Sequence, residues 1–137
     1  MKIIVYVDDD GDSLELFISY LEAHLPQHRC LVFQNGSEAL VFLAGESEVV
    51  HLIVSDQTMP DMTGTEFLLQ CVESGYLNDF IIFSGNCDDT VSFNLLKAEM
   101  ASKNPSLTAR MVEKPNFNLL MGTIREILDT DDSLSLR

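Results

Sequence analysis

Five short apolar runs, each followed by a segment with helical spacing, leave this chain few ways to fold. "KIIVYV" (2–7) is brief, β-branched and ended by a glycine–aspartate cluster, as a buried strand would be. After it Leu14, Phe17, Ile18 and Leu21 fall at i, i+3, i+4 and i+7, the stripe of an amphipathic helix starting near Ser13 and ending near Pro26. "RCLVF" (29–33) is a second strand, followed by a helix through Ala39, Leu40, Phe42 and Leu43 that Ser37 can cap and Gly45 stops. "HLIVS" (51–55) leads through "DQTMPDMTG" to a helix from Thr65. "DFIIFS" (79–84) leads to "DDTVSFNLLKAEMA", whose acidic first turn suits the helix dipole. "LTARMVE" (107–113) is a fifth strand interrupted by arginine, "NFNLLMGTIREIL" a last helix, and "DTDDSLSLR" a polar tail expected to fray.

Strands alternating with helices imply an α/β fold: a parallel sheet covered on both faces, with right-handed crossovers. The 137 residues suit one domain, which buries roughly two thirds of its unfolded surface. No apolar run approaches a membrane span, and the opening strand meets aspartates at once, unlike a signal peptide; the chain reads as a soluble cytoplasmic protein without membrane insertion. With 8 basic against 22 acidic residues, net −14, it lacks the basic clusters that neutralise a phosphate backbone, which excludes direct nucleic-acid binding. Cys30, Cys71 and Cys87 form neither a disulfide framework nor a zinc motif, and Pro26 breaks the helix that would align His24 with His28.

Sheets of this kind bind ligands at the carboxyl ends of their strands. There lie Asp8, Asp9 and Asp10 after strand one, Asp56 after strand three, Ser84 ending strand four, and Lys114 after strand five. If two of the opening aspartates and Asp56 converge to about 5 Å, each pair of charges repels by roughly 3 kcal/mol at an effective dielectric near 20. A proton, a lysine or a bound cation could offset that. Oxygen ligands without histidine or cysteine favour a hard ion such as Mg²⁺, which is commonly shared with phosphate oxygens.

Three motif readings of "DDDGD" compete. As D-x-D-G-x after a strand, with Asp8 as nucleophile, Asp10 as acid/base and a serine ending "IIFS", it resembles haloacid-dehalogenase-type phosphatases. That family needs a later acidic pair at another strand end, whereas Asp129, Asp131 and Asp132 follow the last helix. An EF-hand with Gly11 at its sixth position would put Tyr6 and Phe17 at liganding positions one and twelve, which rules it out. Taken instead with "LIVSDQTMPDMTG", a strand ending in aspartate followed by Met59-Pro60 and Gly64, the acidic pair Asp8-Asp9 resembles the receiver domain of two-component response regulators. The V-D-D, D-x-x-M-P-x-x-x-G, strand-serine and Lys-Pro elements occur in the family order over residues 2 to about 128.

The resemblance implies a flavodoxin-like, doubly wound (βα)₅ three-layer sandwich with strand order 2-1-3-4-5, the receiver domain spanning 1–129 and a disordered tail 130–137. It implies a chemotaxis-regulator-like receiver that is not an enzyme in the ordinary sense; with only about nine residues after the last helix it reads as stand-alone, a piece cut from a longer regulator being the alternative. Asp56 would be the phosphoacceptor, charged by a histidine kinase or histidine phosphotransfer protein. Asp9, Asp56 and the Thr58 backbone carbonyl would hold Mg²⁺, with Asp8 acting through a metal-bound water. Ser84 would donate to the phosphoryl group, Gly85 would leave room for it, and Lys114 would pair with it. The Lys114-Pro115 bond would be cis. Signalling would pass to a downstream protein by a conformational switch. Two departures fall on the output face: Met111 holds the position the family gives to an aromatic, and 30 positions separate Ser84 from Lys114, with "SKNPSLT" as the insertion. A pseudo-receiver whose switch no longer responds and the small phosphatase stand as alternatives.

Overall fold

A computed structural model describes residues 1–45, 49–76, 78–85, 90–103 and 109–135, with side chains described for all of these except 90–92, 96, 103 and 130–135. Its strands are β1 (Ile3–Val7), β2 (Arg29–Phe33), β3 (Leu52–Ser55), β4 (Asp79–Ser84) and β5 (Ala109–Glu113). They pair in parallel in the order β2-β1-β3-β4-β5. The helices are α1 (Gly11–His24), α2 (Gly36–Gly45), α3 (Gly64–Glu73), α4 (Thr90–Lys103) and α5 (Phe117–Ser135). This is the expected doubly wound fold.

The strand sequences are apolar without alternation because both faces are covered. Side chains of β1 alternate between two cores: Ile3, Val5 and Val7 belong to the one that also holds Phe67 and Leu68 of α3 and Phe93 and Met100 of α4, while Ile4 and Tyr6 belong to the one that holds Leu14, Phe17 and Leu21 of α1 and Leu120, Ile124 and Leu128 of α5. Burying each such side chain contributes roughly 1.5–3 kcal/mol, most of it offset by the cost of ordering the chain. The interior strand β1 is therefore fixed from both sides, and so is the point where the chain leaves it. Edge strand β2 is exposed at Arg29 and Val32.

Helix starts differ from expectation where a side chain outside the apolar pattern sets them. α1 begins at Gly11, capped by Asp10, which accepts from the Asp12 N–H and the Ser13 hydroxyl. α3 begins at Gly64 behind a reciprocal capping box between Thr63 and Glu66. The cap of α2 is Asn35 rather than Ser37: the Glu38 N–H donates to Asn35 Oδ1 at 2.8 Å, while the Ser37 hydroxyl is drawn to Asp61 at 2.7 Å. α5 runs to Ser135, past its expected end at Leu128, in a segment holding neither glycine nor proline to stop it. Cys87, the acidic turn Asp88-Asp89 and residues 104–108 of the "SKNPSLT" insertion lie outside the described residues.

Candidate functional site

Three chain exits converge at one end of the sheet, and the hydrogen-bond ladder carries one residue past each strand. The Asp8 N–H donates to the Phe33 carbonyl at 3.0 Å and the Asp56 N–H to the Val7 carbonyl at 2.9 Å. In the same way the Lys114 N–H donates to the Ser84 carbonyl at 3.0 Å. Backbone pairing thus fixes Asp8, Asp56 and Lys114 before their side chains make any contact.

Those side chains then meet. Asp8, Asp9 and Asp56 each present one carboxylate oxygen within 4.8 Å of the others, as the charge argument anticipated. Asp8 is fully buried and Asp56 nearly so, whereas Asp9 is exposed. Lys114 Nζ lies 2.7 Å from Asp8 Oδ2 and 3.5 Å from Asp56 Oδ2, so it sits between the two buried acids but closer to Asp8. Asp8 Oδ2 also accepts from the Tyr6 hydroxyl at 2.9 Å, and Asp8 Oδ1 from the Asp10 N–H at 3.0 Å. Asp56 Oδ1 accepts from the Gln57 N–H at 2.8 Å, and the Ser84 side chain hydrogen-bonds the same carboxylate. Burial pushes the Asp56 carboxyl above its usual range; Lys114 opposes this and Asp8 adds to it. Burial together with the Asp8 carboxylate keeps the Tyr6 phenol protonated far above its ordinary value.

Three carboxylates against one ammonium leave a formal excess of two negative charges. With only oxygen donors in the cluster, a hard divalent cation fits the deficit in both charge and chemistry.

The loop after β3 explains the spacing in "DQTMPDMTG". Gly64 is packed so closely that a Cβ there would lie 2.4 Å from the Asp56 carbonyl oxygen and 2.9 Å from Ile82 Cδ1. Its N–H donates to the Gln57 carbonyl at 2.8 Å, and the Gln57 amide spans Thr65, accepting from its N–H at 3.1 Å and donating to its hydroxyl at 3.3 Å. Met59 is buried in the core, and Asp61 accepts from the N–H and hydroxyl of Ser37 and from the Gly36 N–H at the start of α2. The loop carrying Asp56 is therefore anchored to the sheet, α2 and α3 at once.

The response regulator receiver domain family matches the sequence over residues 4–103. The chain belongs to that family. Among solved structures, a CheY-like response regulator receiver domain from Methanospirillum hungatei JF-1 is 25% identical with a TM-score of 0.75, over 97% of this chain and 98% of that one. The fold also matches the response regulator TrrA of Thermotoga maritima, crystallised with Mg²⁺ and BeF, at 22% identity, TM-score 0.70, and 93% and 100% coverage. A third match is the phosphorylated cyanobacterial phytochrome response regulator RcpA, at 18%, 0.76, 94% and 95%. No curated protein matches.

The receiver domain brings together Asp8, Asp9, Asp56, Ser84 and Lys114 as the sequence suggested. Thr58 is exposed in the loop two residues past Asp56. Among the described residues, none lies within 4 Å of where a Cβ on Gly85 would sit. The Lys114-Pro115 peptide is cis. Met111 is not at the pocket: opposite Ile82 in the ladder, it is half-buried and packed on the core that α3 and α4 cover. Asp10, the acid/base of the phosphatase reading, caps α1, and Asp8, its nucleophile, has three protein donors on a buried carboxylate. Sequence reasoning missed Tyr6. The available signal was period two: Tyr6 precedes Asp8 by two residues and shares its face of the strand.

Among the described residues, no helix is long and apolar enough to cross a membrane.

Proposed function

We propose that this receiver domain accepts a phosphoryl group on Asp56 from the phosphohistidine of a histidine kinase or histidine phosphotransfer protein, in the cytoplasm where ATP charges the kinase. The observation that carries this reading is the placement of Asp56, nearly buried, bonded to Ser84 and 3.5 Å from the Lys114 ammonium beside two further acids. An Asp56 carboxylate oxygen attacks phosphorus, the P–O bond forms as the P–N bond breaks, and the leaving imidazole keeps the bond's electron pair and takes a proton from solvent. Asp9, Asp56 and the Thr58 carbonyl would hold Mg²⁺, with Asp8 behind them, and the ion supplies the positive charge that lets two anions approach. The Lys114 ammonium moves from the acids to a phosphoryl oxygen, the Ser84 hydroxyl donates to another, and Gly85 leaves room for the group.

The acyl phosphate is a signal rather than a product of turnover. Drawing Ser84 inward alters packing around β4 and β5, where Met111 fills space by flexing instead of swinging an aromatic ring, and the changed surface is read by a downstream protein. The Mg²⁺–BeF complex of TrrA and the phosphorylated state of RcpA support this chemistry for the fold.

The test is the intact mass of wild type and Asp56→Asn after incubation with a small acyl-phosphate donor and Mg²⁺. A labile single-phosphoryl adduct on wild type alone is expected. Absence of an adduct while Mg²⁺ demonstrably binds would overturn the phosphoacceptor and leave a pseudo-receiver. Hydrolysis of phosphomonoesters abolished by Asp8→Asn but not by Asp56→Asn would establish the phosphatase instead.

A further inference from the structure

Tyr6 places a polar atom inside an otherwise apolar strand. Its ring is fixed in the core, stacked on Phe17 of α1 with centroids 4.1 Å apart and planes 7° from parallel. Its hydroxyl donates at 2.9 Å to Asp8 Oδ2, the same oxygen that takes the Lys114 ammonium at 2.7 Å. Asp8 has no exposure to water, so its charge depends on protein donors: Tyr6 and Lys114 on one oxygen and the Asp10 N–H on the other.

The two donors on Oδ2 differ in freedom. The phenol is held by a stacked ring in a strand, and its only adjustment is rotation of the O–H. Lys114 reaches the oxygen on a flexible stem and already lies 3.5 Å from Asp56. Group transfer to Asp56 calls the ammonium away from Asp8 toward the new phosphoryl oxygens. Without a second donor, a buried carboxylate oxygen would lose its direct protein hydrogen bond at that moment, and the lysine would be held back by the cost.

We propose that Tyr6 is a positioning residue for the lysine: by keeping Asp8 Oδ2 hydrogen-bonded after the ammonium leaves, it lowers the cost of moving Lys114 onto the phosphoryl group. This rests on the reading of Asp56 as phosphoacceptor. Tyr6 touches no reacting atom and acts only through Asp8 and Lys114. A purely structural phenol would instead contribute stability alike in every liganded state.

Tyr6→Phe removes one oxygen and keeps the stacked ring. Calorimetric titration of wild type and variant would measure Mg²⁺ alone, then beryllofluoride, a tetrahedral phosphoryl mimic, at saturating Mg²⁺, with thermal melting of the metal-free proteins to confirm folding. The expected result is a split: Mg²⁺ affinity within about twofold of wild type, and beryllofluoride affinity roughly tenfold weaker, as befits one lost hydrogen bond to a charged group. Unchanged or tighter beryllofluoride binding by a folded variant overturns the proposal, as does equal weakening for both ligands, which would make Tyr6 a support of the metal ligands instead. A wild type that binds beryllofluoride on neither Asp56 nor any other site overturns the phosphoacceptor reading itself, and this inference with it.

Discussion

Replacing Gly64 with alanine sets two opposed effects against each other, and the structure decides between them. Gly64 opens α3 and does not have a positive φ, which among the described glycines is found only at Gly75. By conformation alone, alanine would stabilise the protein by roughly 0.4–1 kcal/mol, chiefly by restricting the unfolded chain. The new Cβ, however, would sit 2.4 Å from the Asp56 carbonyl oxygen, about 1 Å inside ordinary contact. The obstacle is backbone, and it belongs to a residue whose N–H is bonded to β1, so it cannot turn aside as a side chain would. Overpacking of this kind costs about 1–3 kcal/mol, occasionally more, and the upper half of that range applies against an immovable atom. The net expectation is a loss of about 1–2 kcal/mol, equivalent to a melting temperature lower by roughly 4–8 °C for a domain of this size. Urea unfolding followed by far-ultraviolet circular dichroism on metal-free protein measures it. Gly122→Ala in α5, where a Cβ meets nothing within 4 Å, is the control and should gain stability; Gly36→Ala, which strikes only the flexible Met62 thioether, should fall between. Because the crowded carbonyl is that of Asp56, adduct formation in Gly64→Ala should also slow. If Gly64→Ala were as stable as wild type while Gly122→Ala behaved as expected, the close-approach explanation of the loop glycine would be refuted.

His51 gives a pH dependence of definite sign. Its Nδ1 accepts the Ile3 N–H at 3.1 Å, and burial, followed by the Lys2 charge, lowers its pKa below the ordinary 6.5. The unfolded chain therefore takes up the proton first, so the stabilisation is present above about pH 6.5 and is lost as pH falls through the lowered folded value. Melting curves from about pH 8 to 5 should show a shallower slope for His51→Asn than for wild type, and superimposable slopes would contradict the assignment. At α2, Asp61→Ala removes the acceptor for the Ser37 N–H, the Ser37 hydroxyl and the Gly36 N–H, and should cost about 1 kcal/mol in the same urea assay, as loss of a helix cap does; no loss would mean that Asn35 caps the helix alone.

Periodicity and punctuation disclosed all five strands and five helices because this sheet is buried on both faces, so its strands read as unbroken apolar runs. Strand order was not in the periodicity and came with the family resemblance. Asp8, Asp56 and Lys114 were legible because each directly follows the last residue of a strand and the ladder carries them into register. What stayed hidden depends on tertiary partners. Ser37 has the composition of a cap, yet its hydroxyl goes to Asp61, 24 residues away, leaving the position to Asn35. Met111 matches a family position, but only packing reveals that it lies against the core under α3 and α4. Tyr6 read as one more bulky strand residue because its single polar atom acquires meaning only beside Asp8 and Lys114.

The ammonium that balances the buried acids comes from the last strand of the sheet, bridging 106 residues of sequence to reach Asp8. Adjacent pairing of β1 with β3 gathers the carboxylates of Asp8 and Asp56, which are only 48 positions apart and both lie within the first 56 of the 137 residues. During synthesis the growing polypeptide therefore acquires its concentrated negative charge well before the lysine that counters it. Contacts of such long sequence separation are the slowest to close. The final docking event thus completes the electrostatics of the site: a molecule whose last strand has not docked carries the paired carboxylates of Asp8 and Asp56 without the cation that lies 2.7 and 3.5 Å from them.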